Sequence, residues 1–249
     1  MTSLRALRPA FPILLGASLM LTLSMGIRQS LGIFMQPLTQ DIAISISEFT
    51  VAIAIQNLAW GFTQPIAGAY AARHGFRPVV MIGAGLYITG LTLMAAAQGF
   101  LSIMIGAGVL IGMSLSCIAS SVSMAVAARS VPASSRSLVL GIVSAAGSLG
   151  ALIAAPLGQA LNQEYGWRFG IAGFVILSLA LIPATWLAGK VDKIPLPPAP
   201  SNDMDGVSAR TVIGRAFGNP SFIVMTMAYF VCGMQLVFLT THLPTYLAI

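Results

Sequence analysis

Charge is what this sequence has least of. Only 7% of its 249 residues are Asp, Glu, Lys or Arg, six acidic and twelve basic, against about 25% in an average soluble domain. With 57% hydrophobic residues and a mean hydropathy of +0.91, the chain lacks the polar surface to stay in water. That excludes a soluble enzyme and a disordered tail. The net charge of +6 does not restore a nucleic-acid binder, because the basic residues are spread along an apolar chain and form no patch. Cysteine is scarce too. Cys117 and Cys232 both fall in apolar runs, offer no paired framework, and leave the redox compartment open. With two histidines, His74 and His242, and no Cys/His cluster, the sequence gives no metal site.

What is there is a series of long apolar runs. A membrane-spanning helix needs roughly 20 mostly apolar residues, and seven runs qualify: 11–34, 49–72, 79–97, 100–125, 138–161, 169–187 and 222–243. Helices satisfy their own backbone groups in lipid, so the expected fold is all-α, a polytopic helical bundle. The short alternating strands of a barrel are absent. Arg5 and Arg8 precede the first run as they would a signal peptide. A signal core, however, is typically about 7–15 residues long; this run is longer, and six more follow. It reads as an uncleaved first helix.

Sorted by loop, the charges give an orientation. Arg5, Arg8, Arg73, Arg77, Arg129, Arg136, Lys190, Lys193, Arg210 and Arg215 fall on one side, ten of the twelve basic residues. Arg168 falls on the other, with Asp41, Glu48 and Glu164. Arg28 is inside a span. The positive-inside rule makes the ten-residue side cytoplasmic, with the N-terminus inside and an integral membrane protein of the plasma (cell inner) membrane as the expected setting.

The chain also repeats itself. Pro65, Gly75, Phe76 and Arg77 recur as Pro156, Gly166, Trp167 and Arg168, each shifted by 91 residues. The offset maps spans one to three onto spans four to six. Three is odd, so the second copy is inverted in the bilayer, a design of transporters whose substrate site lies at the repeat interface. Chance is the competing explanation, since Gly and Pro punctuate many sequences.

The connection after span two reads Gly68-Ala-Tyr-Ala-Ala-Arg73-His-Gly75-Phe-Arg77. It resembles the signature loop of the major facilitator superfamily, Gly-x-x-x-Asp-Arg-x-Gly-x-Arg. Gly166-Trp167-Arg168 before span six is similar to that superfamily, as is a six-helix unit followed by a polar linker. Arg28-Gln-Ser30-Leu-Gly32-Ile-Phe34 in span one resembles the monocarboxylate-transporter and oxalate/formate-antiporter branch, and so do Phe230 to Gly233, Phe238 and His242 to Tyr246 in span seven. Two departures stand out. Ala72 occupies the place of the signature Asp, which puts that acid's gate latch in doubt. Span four has no Arg before Gly112, unlike many proton-coupled drug exporters. The resemblance implies gating roles for Gly68, Arg73, Gly75 and Arg77, and two six-helix halves around one cavity. Here one half is followed by a single further helix, so the chain reads as truncated after helix seven.

Arg28 is the only formal charge well inside a span, and burying one costs at least ~2.5–3.5 kcal/mol on insertion scales. Its guanidinium is always charged and can grip a carboxylate with two parallel hydrogen bonds. The resemblance also places a basic residue here to meet an anionic substrate. Snorkelling to the outer interface is the alternative. Ser18, Thr22, Met25, Gln29 and Gly32 line one stripe of the same helix, with Gln29 the cavity candidate. In span two, Gln56 precedes a stripe of Asn57, Trp60 and Gln64. Asn57 either bonds a substrate or glues two helices. Tyr229 in span seven reaches a ligand or packs in a core. The small residues of spans four and five read mostly as packing.

The expected organisation is therefore a six-helix transmembrane bundle over 1–189 made of two inverted three-helix repeats, a Pro-rich cytoplasmic linker over 190–219, and the first helix of an incomplete second bundle over 220–249. The expected function is secondary active transport of a small, monocarboxylate-like organic anion by alternating access. Substrate binding falls to Arg28, Gln29, Asn57 and Tyr229. No ATP-binding loop or nucleophile–base pair is visible, so no enzyme and no cofactor are expected. The alternatives are a carrier of neutral or drug-like solutes, or a non-transporting half that needs a separate partner.

Overall fold

The structure is a computed structural model that describes residues 8–195 and 209–247. Arg5 and the Pro-rich stretch 196–208 lie outside the described residues, as do the side chains of Arg210, Pro244 and Tyr246. No strand occurs among the described residues. The helices are α1 (Arg8–Asp41), α2 (Ile46–His74), α3 (Phe76–Ala95), α4 (Phe100–Arg129), α5 (Ala133–Tyr165), α6 (Trp167–Lys193), α7 (Ala209–Phe217) and α8 (Pro220–Leu247). Each of the seven apolar runs falls on one long helix, although the third ends two residues past the end of α3 at Ala95. Elsewhere the helices mostly overrun the runs at their polar ends, where capping residues take over from hydrophobicity. Ser45 and Glu48 form a reciprocal capping box at the start of α2.

Six of these helices are long and apolar enough to cross a membrane, by length and composition. The 29-residue α2 is long enough but too polar, because Gln56, Asn57 and Gln64 interrupt its apolar run. At about 1.5 Å rise per residue it still has the reach to span. Gln56 and Asn57 are engaged inside the bundle, as described below.

The described residues up to Ile194 form one compact unit, and those from Pro195 onward another. In the first unit, α1 packs along α5 and α6, and α4 packs along α2 and α3. Exchanging helices one to three with four to six turns the first set of contacts into the second. The same exchange relates α3 and α6, which run antiparallel. Arg168 at the start of α6 donates from Nη1 to the carbonyl of Ala95 at the end of α3, 3.3 Å away. The stem of Arg77 at the start of α3 lies so close to Gly189 near the end of α6 that a Cβ there would meet it at 2.7 Å. Gly75 and Gly166 have matching positive φ of 89° and 82°, and Pro65 and Pro156 fall inside the paired helices α2 and α5. The six helices are thus two inverted repeats.

Small residues bring the paired helices together in both repeats. A Cβ on Gly150 of α5 would run into the backbone of Thr22 in α1, and one on Gly112 of α4 would meet the Gln56 carbonyl of α2 at 2.5 Å. Backbones can approach this closely only where the side chain is absent. The core between them holds Met20, Phe34, Phe49, Tyr87 and Phe174, all fully buried. Phe34 and Phe174 meet edge to face at 5.5 Å and tie α1 to α6. Large apolar side chains face outward, among them Leu58, Phe62 and Ile66 on α2 and Leu149, Leu152 and Ile153 on α5.

The fourth helix is irregular. It has a π-helical stretch over Met104–Leu110 and breaks at Ala119, whose ψ is −158°. Ser123 donates its hydroxyl to the Ile118 carbonyl freed by that break, at 2.9 Å. Packing alone does not account for the serines of this span.

The second unit contains α7, which lies within the stretch expected as linker, and α8. Apolar side chains of α8 such as Met225, Phe230 and Phe238 are exposed.

Candidate functional site

The charge inside the first span organises the site. Arg28 is 7% exposed, and its head group turns inward and does not climb to the helix end. Nε donates to Gln56 Oε1 at 3.1 Å, and Nη2 donates to Asn57 Oδ1 at 2.7 Å. Both acceptors lie on α2. Each amide is fixed by its other end, since Gln56 Nε2 donates to the Ala107 carbonyl and Asn57 Nδ2 to the Ile53 carbonyl, both at 2.7 Å. With the nitrogens committed, only the oxygens can face the guanidinium. Ala107 belongs to the π-helical stretch of α4, where the altered hydrogen-bond register lets the carbonyl accept from a side chain. One charge on α1 therefore joins α1, α2 and α4.

The arrangement leaves the cation without an anion. The ion pairs among the described residues are Arg129 with Asp192 and Arg168 with Asp41; no carboxylate pairs with Arg28. Neutral amides satisfy part of its hydrogen bonding but none of its charge, which is the costly component of burial. Its Nη1 bonds to none of the described residues and is not sealed off. The guanidinium stacks over the Trp60 ring, 5.1 Å from the centroid. The Trp60 Nε1 is buried with no hydrogen-bond partner among the described residues. One turn before Arg28, the Tyr87 hydroxyl donates to the Ser24 carbonyl at 2.8 Å, which fixes α1 against α3 at this level. Such a site can take a small anion, for which it already holds a desolvated positive charge.

Within this unit, the predicted binding residue Gln29 is not drawn into the node. Gln29 is half-buried and lies one residue, hence about 100° around the helix, from Arg28. Thr22 of its stripe bonds the Ala146 carbonyl of α5 at 2.8 Å. Tyr229 lies in the second unit, 72% exposed. A cavity of about 320 Å³ opens elsewhere, beside the first turn of α1, lined by Pro9, Pro12, Ile13, Ser130, Lys190 and Ile194. It is mainly apolar, and the Lys190 ammonium lies 4.5 Å from the centroid of the Trp186 ring. The unpaired charge marks the chemistry better than this volume does.

At the Gly75 end of the bundle, the loop residues divide. Gly68 is exposed with open space where a Cβ would go, and Arg73 is exposed. Gly75 needs its positive φ of 89° to turn the chain between α2 and α3. The residue that sequence reading missed is Asp192. Its carboxylate accepts the backbone N–H groups of Phe76 at 2.8 Å and Arg77 at 2.7 Å, and Arg129 Nη1 lies 3.9 Å away. Arg129 also donates to the Ile194 carbonyl at 2.9 Å. A carboxylate does sit on this loop although Ala72 has replaced the signature Asp; it comes from the far end of α6. At the Gly166 end, Asp41 accepts from Trp167 Nε1 at 3.1 Å and pairs with Arg168 at 3.4 Å.

A helical membrane bundle of two inverted three-helix repeats, with a charged node at the repeat interface, defines a transporter class. The family model of the Major Facilitator Superfamily matches residues 17–249, and the chain belongs to that superfamily. Among curated proteins it is 28% identical to monocarboxylate transporter 11 of Mus musculus, over 65% of this chain and 36% of that protein. The human protein of that name is also 28% identical, over 72% of this chain and 37% of its own length. Monocarboxylate transporter 4 of Gallus gallus is 28% identical over 68% of this chain and 35% of its own. The matched segment thus spans about a third of the length of these relatives. The protein is an integral membrane protein of a transporter family, whose members act on small molecules.

Proposed function

We propose that this protein moves a small organic anion, of the monocarboxylate class, across the membrane by alternating access and driven by a gradient. The observation that carries the reading is the buried, stacked Arg28 guanidinium with neutral amides around it and no carboxylate on it among the described residues. A substrate carboxylate supplies the missing charge. The names of the curated relatives support the same class. In this reading Gly75 and Arg77 shape the cytoplasmic gate, the N-terminus is inside, and the setting is the plasma membrane.

The test is equilibrium binding, and uptake into proteoliposomes, of labelled acetate, pyruvate and L-lactate, with Arg28→Ala and Arg28→Lys alongside. Arg28→Ala is expected to weaken binding at least tenfold. Lys, a point charge without the planar fork, falls between. Unchanged affinity in Arg28→Ala overturns the role, and preference for an uncharged solute favours the neutral-substrate reading. Single-cysteine labelling from each side of the membrane at Ser134 and at Ser47 tests the orientation.

A second reading concerns assembly: the chain acts together with further transmembrane helices. It is favoured by relatives about three times the matched length and by the exposed apolar faces of α2, α5 and α8. Saturable uptake by this chain alone overturns it.

A further inference from the structure

Two donors at one place lack acceptors among the described residues. One is Nη1 of Arg28; the other is Nε1 of Trp60, buried and without a partner among the described residues. They belong to stacked groups, with the guanidinium carbon 5.1 Å from the indole centroid. Buried polar atoms without partners, such as this indole nitrogen, are few in folded proteins. The acceptors of this cluster already serve other donors, and none of them takes the indole N–H. Gln56 and Asn57 give their oxygens to Arg28, and the Ala107 and Ile53 carbonyls take the amide nitrogens. The indole N–H is thus open to an acceptor brought in from outside the cluster, one that suits a site already holding a positive charge.

A carboxylate meets both requirements, because it carries two oxygens on one carbon and a full negative charge. We infer that Trp60 is a second substrate-positioning donor, its indole N–H taking one carboxylate oxygen while Arg28 Nη1 takes the other. The inference rests on the reading of Arg28 as the anion site. Trp60 is half-buried as a residue, with its Nε1 inside. Two donors on one face of the ligand select for a carboxylate over its amide, since the amide offers a single oxygen and no charge.

The experiment uses the full chain in detergent with L-lactate and L-lactamide as probes, comparing Trp60→Phe and Arg28→Ala. Phenylalanine keeps a ring beneath the guanidinium and deletes the N–H. Expected is a loss of about tenfold in L-lactate affinity, the scale of one hydrogen bond to a charged group, with L-lactamide binding and thermal unfolding unchanged. Should Trp60→Phe bind L-lactate normally while Arg28→Ala does not, this inference fails and the anion site stands. If neither substitution matters, or the unsubstituted protein binds no L-lactate, both fail. Equal losses for lactate and lactamide, or a lowered unfolding temperature, assign Trp60 a packing role and overturn the inference. A measurement without substituting Trp60 backs this up. The chain has three tryptophans, so Trp167→Phe and Trp186→Phe together leave one indole ¹H–¹⁵N signal. L-Lactate is expected to move that signal downfield; no movement at saturation overturns the proposal.

Discussion

The carboxylate of Asp192 sits 2.8 Å from the backbone nitrogen of Phe76, 116 residues earlier in the chain. It accepts from Arg77 as well, so one side chain at the end of α6 caps the first turn of α3. A negative charge there satisfies orphan N–H groups and opposes the positive end of the helix dipole. Arg129 then ties the end of α4 to the same carboxylate. Asp192→Ala is expected to lower the stability of the bundle by about 1–2 kcal/mol, the scale of a lost N-cap. Asp192→Asn keeps an oxygen acceptor and loses the charge, so its cost is smaller. Thermal unfolding in detergent orders the three proteins. Equal stability of Asp192→Ala and the parent protein rules out a capping role.

The close helix pairs make a contrast between glycines. Gly150 faces the Thr22 backbone and Gly112 the Gln56 carbonyl, each closer than any Cβ allows. Gly141 lies on the same helix as Gly150 and has nothing within 4 Å. Gly150→Ala is therefore expected to push α1 and α5 apart and to cost at least about 1–3 kcal/mol, as overpacking does. Gly141→Ala is expected to be neutral or slightly stabilising, because a helical alanine has less backbone entropy to lose. The yield of monodisperse protein and its unfolding temperature check both.

Acid acts on the start of α2. Ser45 donates from its backbone N–H and its hydroxyl to Glu48, at 2.7 and 2.9 Å, and these bonds hold the Glu48 carboxyl below its ordinary value. A carboxyl depressed in the folded state stabilises at pH above its unfolded value, about 4.3, and that contribution is lost as pH falls through the folded value. The first turn of α2 is thus expected to fray on acidification. Backbone hydrogen exchange around Phe49, followed from pH 7 down to 3 and corrected for intrinsic rates, reports it. Glu48→Gln is expected to flatten that pH dependence.

The positions of the helices were legible because seven apolar runs leave a membrane chain few alternatives, and the inverted repeat was legible in four residues at one offset. Helix ends were less so, since capping by Ser45 or Asp192 overrides hydropathy. Of the proposed binding residues, Arg28 and Asn57 meet in the structure. Each announced itself locally, one as a charge in an apolar run and the other on a polar stripe. Gln56 escaped selection because it stands one position off that stripe, yet it reaches Arg28 and Ala107 at once. The Asp192 cap was hidden for another reason. Counting loop charges registers Lys190 and Lys193 and gives no hint that the acid between them folds onto the start of α3. Contacts across more than a hundred residues depend on helix packing, and hydropathy carries none of that.

The unpaired state of Arg28 gives the sharpest test in the site. Asn57 Oδ1 is 2.7 Å from Nη2, so Asn57→Asp places a carboxylate directly on the guanidinium. That internal anion competes with any external one, and a close pair at low dielectric is difficult to displace. Expected is a loss of tenfold or more in carboxylate affinity. The unfolding temperature is expected to hold or rise, even though the bond from Asn57 Nδ2 to Ile53 is lost. Asn57→Leu separates the two effects: it removes the same bonds without supplying a charge, so it is expected to destabilise the bundle while leaving Arg28 available to the anion. Titration with labelled pyruvate reads affinity, and calorimetry on the same samples reads stability. If Asn57→Asp binds the anion as well as the parent does, the charge that recruits substrate lies elsewhere than Arg28.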